Sequence, residues 1–126
     1  MNAHTFPFSI AYADTDAGGI VYHARYVEIA ERARMNWFRG ILPPDGDLGF
    51  VIKELNIKYK KPLRLCDEFT VVTTATEIGA ASIWVEQKFV KNDELFAILT
   101  GKAAYIGANM KPKRIPEEYM KLMTES

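Results

Sequence analysis

Near the start of the chain Phe6, Phe8, Ile10 and Tyr12 alternate with smaller or polar residues, the period-two pattern of a strand with one face on a core. That strand ends by delivering Asp14 and Asp16. From about residue 23 to 39 the period changes. Tyr26, Ala30, Ala33 and Trp37, flanked by Val27, Ile29 and Phe38, make an apolar stripe, while Arg25, Glu28, Arg32 and Arg39 fall largely off it. This predicts one long helix, in which the small Ala30 and Ala33 let a sheet approach closely. Gly40 is a natural stop, and the Pro-Pro-Asp-Gly chemistry of residues 42–47 is that of a loop.

After Gly49 the pattern reads as strand. Val51, Leu55, Ile57 and Tyr59 alternate with Ile52, Glu54, Asn56, Lys58 and Lys60 until Pro62 interrupts. Residues 69–78 are rich in Thr and Val, 79–81 turn the chain, 82–91 follow, Asn92-Asp93-Glu94 turns it again, and 95–106 close the set. Short turns between strands cannot make parallel pairs, which need crossover helices that the pattern lacks. The expected architecture is α+β, a five-stranded antiparallel sheet curling around one central helix. The 126 residues are expected to form a single domain spanning 1–126.

Composition narrows the function classes. Formal net charge is zero, so no global basic field draws the protein to nucleic acid or anionic lipid, and any polyanion site is local. Cys66 is the single cysteine, which excludes an intrachain disulfide and fits a reducing compartment. The first residues lack a basic and an apolar leader region, and no stretch approaches a membrane span of roughly 18 apolar residues. A cytoplasmic location is expected.

Chemistry concentrates between Tyr12 and Tyr26. Two carboxylates, Asp14 and Asp16, precede Gly18 and Gly19, and Tyr22 and His23 fall where the helix begins. The first N–H groups of a helix have no intrahelical partner and carry partial positive charge, so a carboxylate beside them has the parts of an acyl-transfer site. Asp16 is the candidate nucleophile or general base, and Asp14 the candidate cap. His23 offers its backbone N–H or its ring. Tyr12 either orients Asp16 or a water, or serves the core. Glu31 reads as structural, pairing with Arg32 or Arg34. Competing chemistries fit poorly. With Asp14 at position 1 of a calcium loop, the fifth position is Gly18 and the twelfth Arg25, neither of which supplies the required side-chain oxygen. None of the three serines lies in Gly-x-Ser-x-Gly, Cys66 precedes two acids, and no metal-ligand spacing is present, so neither metal nor cofactor is expected.

The run Tyr12-Ala-Asp-Thr-Asp-Ala-Gly-Gly-Ile-Val-Tyr-His23, followed by Tyr26 and Glu31-Arg-Ala-Arg34, resembles the motif of the hotdog-fold 4-hydroxybenzoyl-CoA thioesterase family. The similarity is strongest to its branch of bacterial Tol-Pal-associated acyl-CoA thioesterases. Residues 59–64 and 110–114 extend it with falling specificity. The enzyme that names the family has Pro after its catalytic Asp and an aromatic residue in place of His23. This chain has Ala17 and His23, which argues against a 4-hydroxybenzoyl substrate. The resemblance implies the hotdog arrangement, thioester hydrolysis at Asp16 with the oxyanion near His23, and an acyl-CoA or acyl-carrier-protein thioester as substrate. It also implies a homodimer or homotetramer with sites at the subunit interface. Substrate binding is then expected at Gly19, at Ser82 beside a hairpin that carries Arg in relatives, and at Lys111, Lys113 and Arg114 for the CoA phosphates. A second basic group, Lys58, Lys60, Lys61 and Arg64, is the other phosphate candidate. The alternative function is a non-catalytic acyl or acyl-carrier-protein binding module of the same fold. A hotdog hydratase is disfavoured because its Asp/His pair on a different segment is not found.

Overall fold

Alternating apolar residues build a sheet that curls around one helix. In the computed structural model, which describes residues 3–125, β1 (Ala3–Ser9) is followed by a single 3-10 turn (Tyr12–Asp14) and α1 (Arg25–Trp37). Then come β2 (Gly49–Tyr59), β3 (Glu68–Ile78), β4 (Ser82–Lys91), β5 (Glu94–Ile106) and α2 (Glu117–Thr124). All pairings are antiparallel, and the strand order is β1-β3-β4-β5-β2. On the face towards α1, register aligns Val71 with Phe89 and Ala97, and Thr73 with Gln87 and Leu99. These rows are fully buried.

α1 rests on that face through Tyr26, Ile29, Ala30, Ala33 and Trp37, all buried. Ala30 and Ala33 have no exposed surface, so the helix lies close to the strands as their size predicts. A larger residue at Ala33 would have to displace backbone, a change that costs typically about 1–3 kcal/mol. α1 ends at Trp37 with Phe38 as its cap, and Arg39 and then Gly40 turn the chain away at φ of 54° and 73°.

Two features depart from the sequence expectation. The first strand stops at Ser9, and Tyr12 lies in the 3-10 turn instead of a strand. The cause is Asp14, whose Oδ2 accepts the Ala11 N–H at 2.9 Å and draws the backbone out of the sheet. The second is α2, which the sequence reading omits. It buries Tyr119 and Met123, spaced one turn apart, against Phe38 and Phe50, and the Tyr119 hydroxyl donates to the Ile41 carbonyl at 3.0 Å.

β2 is an edge strand, and its residues are largely exposed. Val51, Ile52, Leu55 and Tyr59 are each between 37% and 46% exposed, so an apolar edge of 11 residues faces outward. No helix among the described residues is long and apolar enough to cross a membrane.

Candidate active site

The two carboxylates of Asp14-Thr15-Asp16 do different work. Asp14 is buried, and its Oδ1 accepts Arg25 Nε at 2.8 Å while Oδ2 accepts Ala11 N–H. It thereby ties the 3-10 turn to the first residue of α1. Asp16 is exposed, and only its Oδ1 is occupied, accepting the Gly18 N–H at 2.8 Å. Its Oδ2 has no partner among the described residues. Gly18 permits this packing because a Cβ there would lie 3.2 Å from Asp16 Oδ1. Gly19 turns the chain at φ of 77° and donates its N–H to the Asp16 carbonyl at 3.1 Å.

α1 begins without a side-chain cap. The Tyr22 N–H donates to the Asp14 carbonyl and the Arg25 N–H to the Tyr22 carbonyl, whereas the N–H groups of His23 and Ala24 meet no acceptor among the described residues. Such donors carry the positive end of the helix dipole. Asp16, Val21, His23, Tyr26 and Tyr59 line a cavity of about 300 Å³ into which this helix start opens. Hollows of about 620 Å³ lie along the β1 edge, but neither contains Asp16 or His23.

Tyr59 is the site residue that sequence reasoning missed. Its hydroxyl donates to the His23 carbonyl at 2.7 Å, and its ring meets Tyr26 edge-on at 5.1 Å. Residues 59–64, into which the family resemblance extends, contain it, but no local pattern announces that the end of β2 lies beside the start of α1. Tyr26 in turn accepts the Leu63 N–H at 3.2 Å, and burial pushes its hydroxyl above the usual range. The His23 ring packs on Tyr22 at 4.5 Å. Tyr12 is 83% exposed, which removes the core alternative.

The remaining expected residues sit elsewhere. Ser82 starts β4 at the hairpin whose Ala80 and Ala81 carbonyls accept the Ile115 and Tyr105 N–H groups. Lys111, Lys113 and Arg114 follow β5 at that same end, where Gly49 of β2 pairs with Ile106. Lys111 and Arg114 are exposed. Lys113 is engaged: its Nζ lies 3.0 Å from Oδ2 of Asp47, which also accepts the Tyr105 hydroxyl at 2.9 Å. Asp16 and His23, with Gly19 hydrogen-bonded to Asp16, thus gather at the Tyr59 end of β2, Tyr12 stands exposed in the 3-10 turn outside that cavity's walls, and Ser82 and the basic tail lie at the Gly49 end. An 11-residue strand separates them by about 30 Å within one chain. Of the second basic group, the Lys60 and Lys61 backbones border the Asp16 cavity by hydrogen-bonding the Phe96 carbonyl, and Lys61 Nζ pairs with Glu94. Among the described residues no three His, Cys, Asp or Glu side chains converge.

An antiparallel five-stranded sheet around α1 is the hotdog fold, and the half-occupied Asp16 carboxylate beside an uncapped helix start is its candidate site. The chain belongs to the thioesterase-like superfamily, whose model matches residues 10–122. It is 38% identical over 124 residues to an acyl-CoA thioesterase, YbgC, of Haemophilus influenzae, covering 93% of this chain and 91% of that one. It is 32% identical to the Escherichia coli acyl-CoA thioester hydrolase YbgC, covering 93% and 94%. Among solved structures, a probable thioesterase from Bartonella henselae matches with a TM-score of 0.82 and 28% identity, covering 91% of this chain and all of that one.

Proposed function

We propose that the chain is an acyl-CoA thioesterase, hydrolysing an acyl-CoA to the free acid and CoA thiol. The observation that carries this reading is the Asp16 carboxylate, with one oxygen free, sharing a cavity with His23, whose N–H is unpartnered just before the N-cap of α1. Asp16 acts in one of two ways: it takes a proton from a water that attacks the thioester carbonyl, or it attacks directly to form a mixed anhydride that water opens. Either way the carbonyl oxygen becomes an oxyanion, which the His23 N–H would stabilise, with the Ala24 N–H beside it. Collapse of the tetrahedral species expels a thiolate, whose thiol pKa of about 8.5 lets it leave without a general acid. The proton removed from water ends on that thiol. The same steps serve an acyl-carrier-protein thioester.

The active unit in this reading is a homodimer, or a tetramer built from it. An exposed apolar edge strand is satisfied by pairing, and two copies of β2 in antiparallel register across a two-fold make each other's missing neighbour. That pairing sets the Gly49 end of one chain beside the Tyr59 end of the other. Ser82, Lys111 and Arg114, about 30 Å from Asp16 of their own chain, then approach Asp16 of the second copy. The basic tail would meet the CoA phosphates there, and Lys113 would hold the tail's shape through Asp47. The free thiol of Cys66 supports a reducing cytoplasmic setting.

Thiol release from a panel of acyl-CoAs, with Asp16→Asn measured alongside, tests the function. Turnover by the parent and loss of at least about 10²-fold in kcat in the variant are expected. Absence of turnover on every acyl-CoA, or a variant within threefold of the parent, overturns it.

A further inference from the structure

α1 and β2 lie alongside each other and run in opposite directions. The start of α1 meets the end of β2 through Tyr59 and the His23 carbonyl, and the end of α1 meets the start of β2 where Phe38 stacks on Phe50 at 5.3 Å. Two cavities lie along this side of the molecule. One is the Asp16 cavity. The other, also of about 300 Å³, is walled by Phe38, Ile41, Leu48, Phe50 and Ile52, with Glu31 and Arg34 on the helix side. Helical spacing puts Val27, Glu31, Arg34 and Phe38 on one side of α1, and Val27 packs with Ile57 on the core.

Arg34 is the unusual group in that wall. Burial pulls its guanidinium below its ordinary pKa, with Glu31 acting in the opposite direction. Its Nη1 donates to Gln87 Oε1 at 2.8 Å, and no carboxylate lies within ion-pair distance of it among the described residues. Gln87 cannot compensate the charge: it is neutral, and its amide donates to the Ala30 carbonyl and to Thr73 Oγ1. A half-buried cation whose one acidic neighbour, Glu31, stays beyond ion-pair distance keeps further N–H donors for an incoming acceptor. His23 and Arg34 are three helical turns apart, about 16 Å along the axis. Side chains on a helix lean towards its N-terminus, which brings the guanidinium within roughly 10 Å of the oxyanion donors.

We infer that the acyl group runs from the Asp16 cavity along this face of α1 towards the second cavity and that Arg34 receives a carboxylate there, so the preferred substrates are CoA thioesters of short dicarboxylic acids. The inference rests on the thioesterase reading above. Glu31 stands exposed one turn before Arg34 and opposes an incoming anion, so the two residues have opposite expected effects.

Adipoyl-CoA and 6-methylheptanoyl-CoA test this, since they have nearly the same shape and differ in the terminal carboxylate. The ratio of their kcat/KM values in the parent should favour adipoyl-CoA by at least fivefold. Arg34→Met should lower that ratio at least tenfold, Arg34→Lys should lower it less, and Glu31→Gln should raise it by twofold or more. Calorimetric binding of both thioesters to Asp16→Asn reads the same preference without turnover. A parent ratio at or below one, or a ratio unmoved by Arg34→Met, overturns the inference. So does an Arg34→Met protein that keeps its ratio but becomes monomeric, because Arg34 then serves the interface. If both thioesters bind with the expected preference and neither is hydrolysed, it is the thioesterase reading that fails.

Discussion

Asp14 and Asp16 are two residues apart and chemically alike, yet the structure gives them separable roles. Asp14→Ala removes a carboxylate whose side chain is only 5% exposed and which accepts two hydrogen bonds, one from Ala11 N–H and one from Arg25 Nε at 2.8 Å. Buried hydrogen bonds to a charged group contribute about 1.5–3 kcal/mol each. Ala11 is exposed and Arg25 keeps Glu28 at 2.9 Å, so water and the second carboxylate recover part of the loss. The expected net destabilisation is about 2–4 kcal/mol. For a chain of this length that lowers Tm by roughly 10 °C. Urea unfolding followed by the fluorescence of buried Trp37 measures it directly. Asp16→Asn should unfold within about 0.5 kcal/mol of the parent, since its lost charge is exposed and Asn retains an acceptor for Gly18 N–H. Its kcat should nevertheless fall at least about 10²-fold, whereas folded Asp14→Ala should retain more. An Asp14→Ala protein as stable as the parent would refute the assignment, as would an Asp16→Asn protein that loses stability and keeps its rate.

Three further outcomes follow from the geometry. His23→Ala preserves the backbone N–H and should lose clearly less activity than Asp16→Asn; an equal loss in kcat would place the role in the ring. Leu55→Lys with Val51→Lys puts charge on the exposed β2 edge and should yield monomers by sedimentation with activity lost in parallel, while an active monomer would contradict the shared site. Burial pushes the Asp47 carboxyl up, but the hydrogen bonds from Lys113, Tyr105 and Ala108 together outweigh it and hold the carboxyl below its usual range. A depressed folded-state value contributes stability that is present above the unfolded value of about 3.9 and is lost as pH falls through the folded one. Acid unfolding between pH 5 and pH 2 should therefore be less steep in Asp47→Asn than in the parent, and an unchanged profile would count against this cause.

Much of the fold was legible because each strand carries its own alternation and α1 its own stripe. Asp14 as a cap and Asp16 as the free carboxylate could be read from local chemistry, two glycines and a helix start. What escaped depends on distance along the chain. Tyr59 touches His23 across 36 positions, and nothing in either neighbourhood encodes that meeting. α2 escaped because its apolar Tyr119, Met120, Leu122 and Met123 span little more than one turn, too short a stretch after Pro116 to show a helical period. Lys113 shows the converse: its charge is obvious in the sequence, but Asp47, which occupies it, lies in a loop read only as a turn.

The contact between α1 and the sheet is almost wholly apolar, and apolar surfaces tolerate a helix turned or slid by part of a residue. Gln87 does not tolerate it. Fully buried beneath the middle of α1, it reaches the Ala30 carbonyl and Arg34 above and Thr73 beside it, an arrangement satisfied at a single rotation and a single height of the helix. It acts as an index pin. Filling its place with leucine would keep nearly the same volume and remove the need to satisfy a buried amide, so resistance to denaturant could survive the change. What would be lost is the common orientation of Arg34, Glu31 and the His23 turn, all carried on one rigid helix. Precision at the proposed site would then be set by a side chain in the opposite layer, far from any reacting atom.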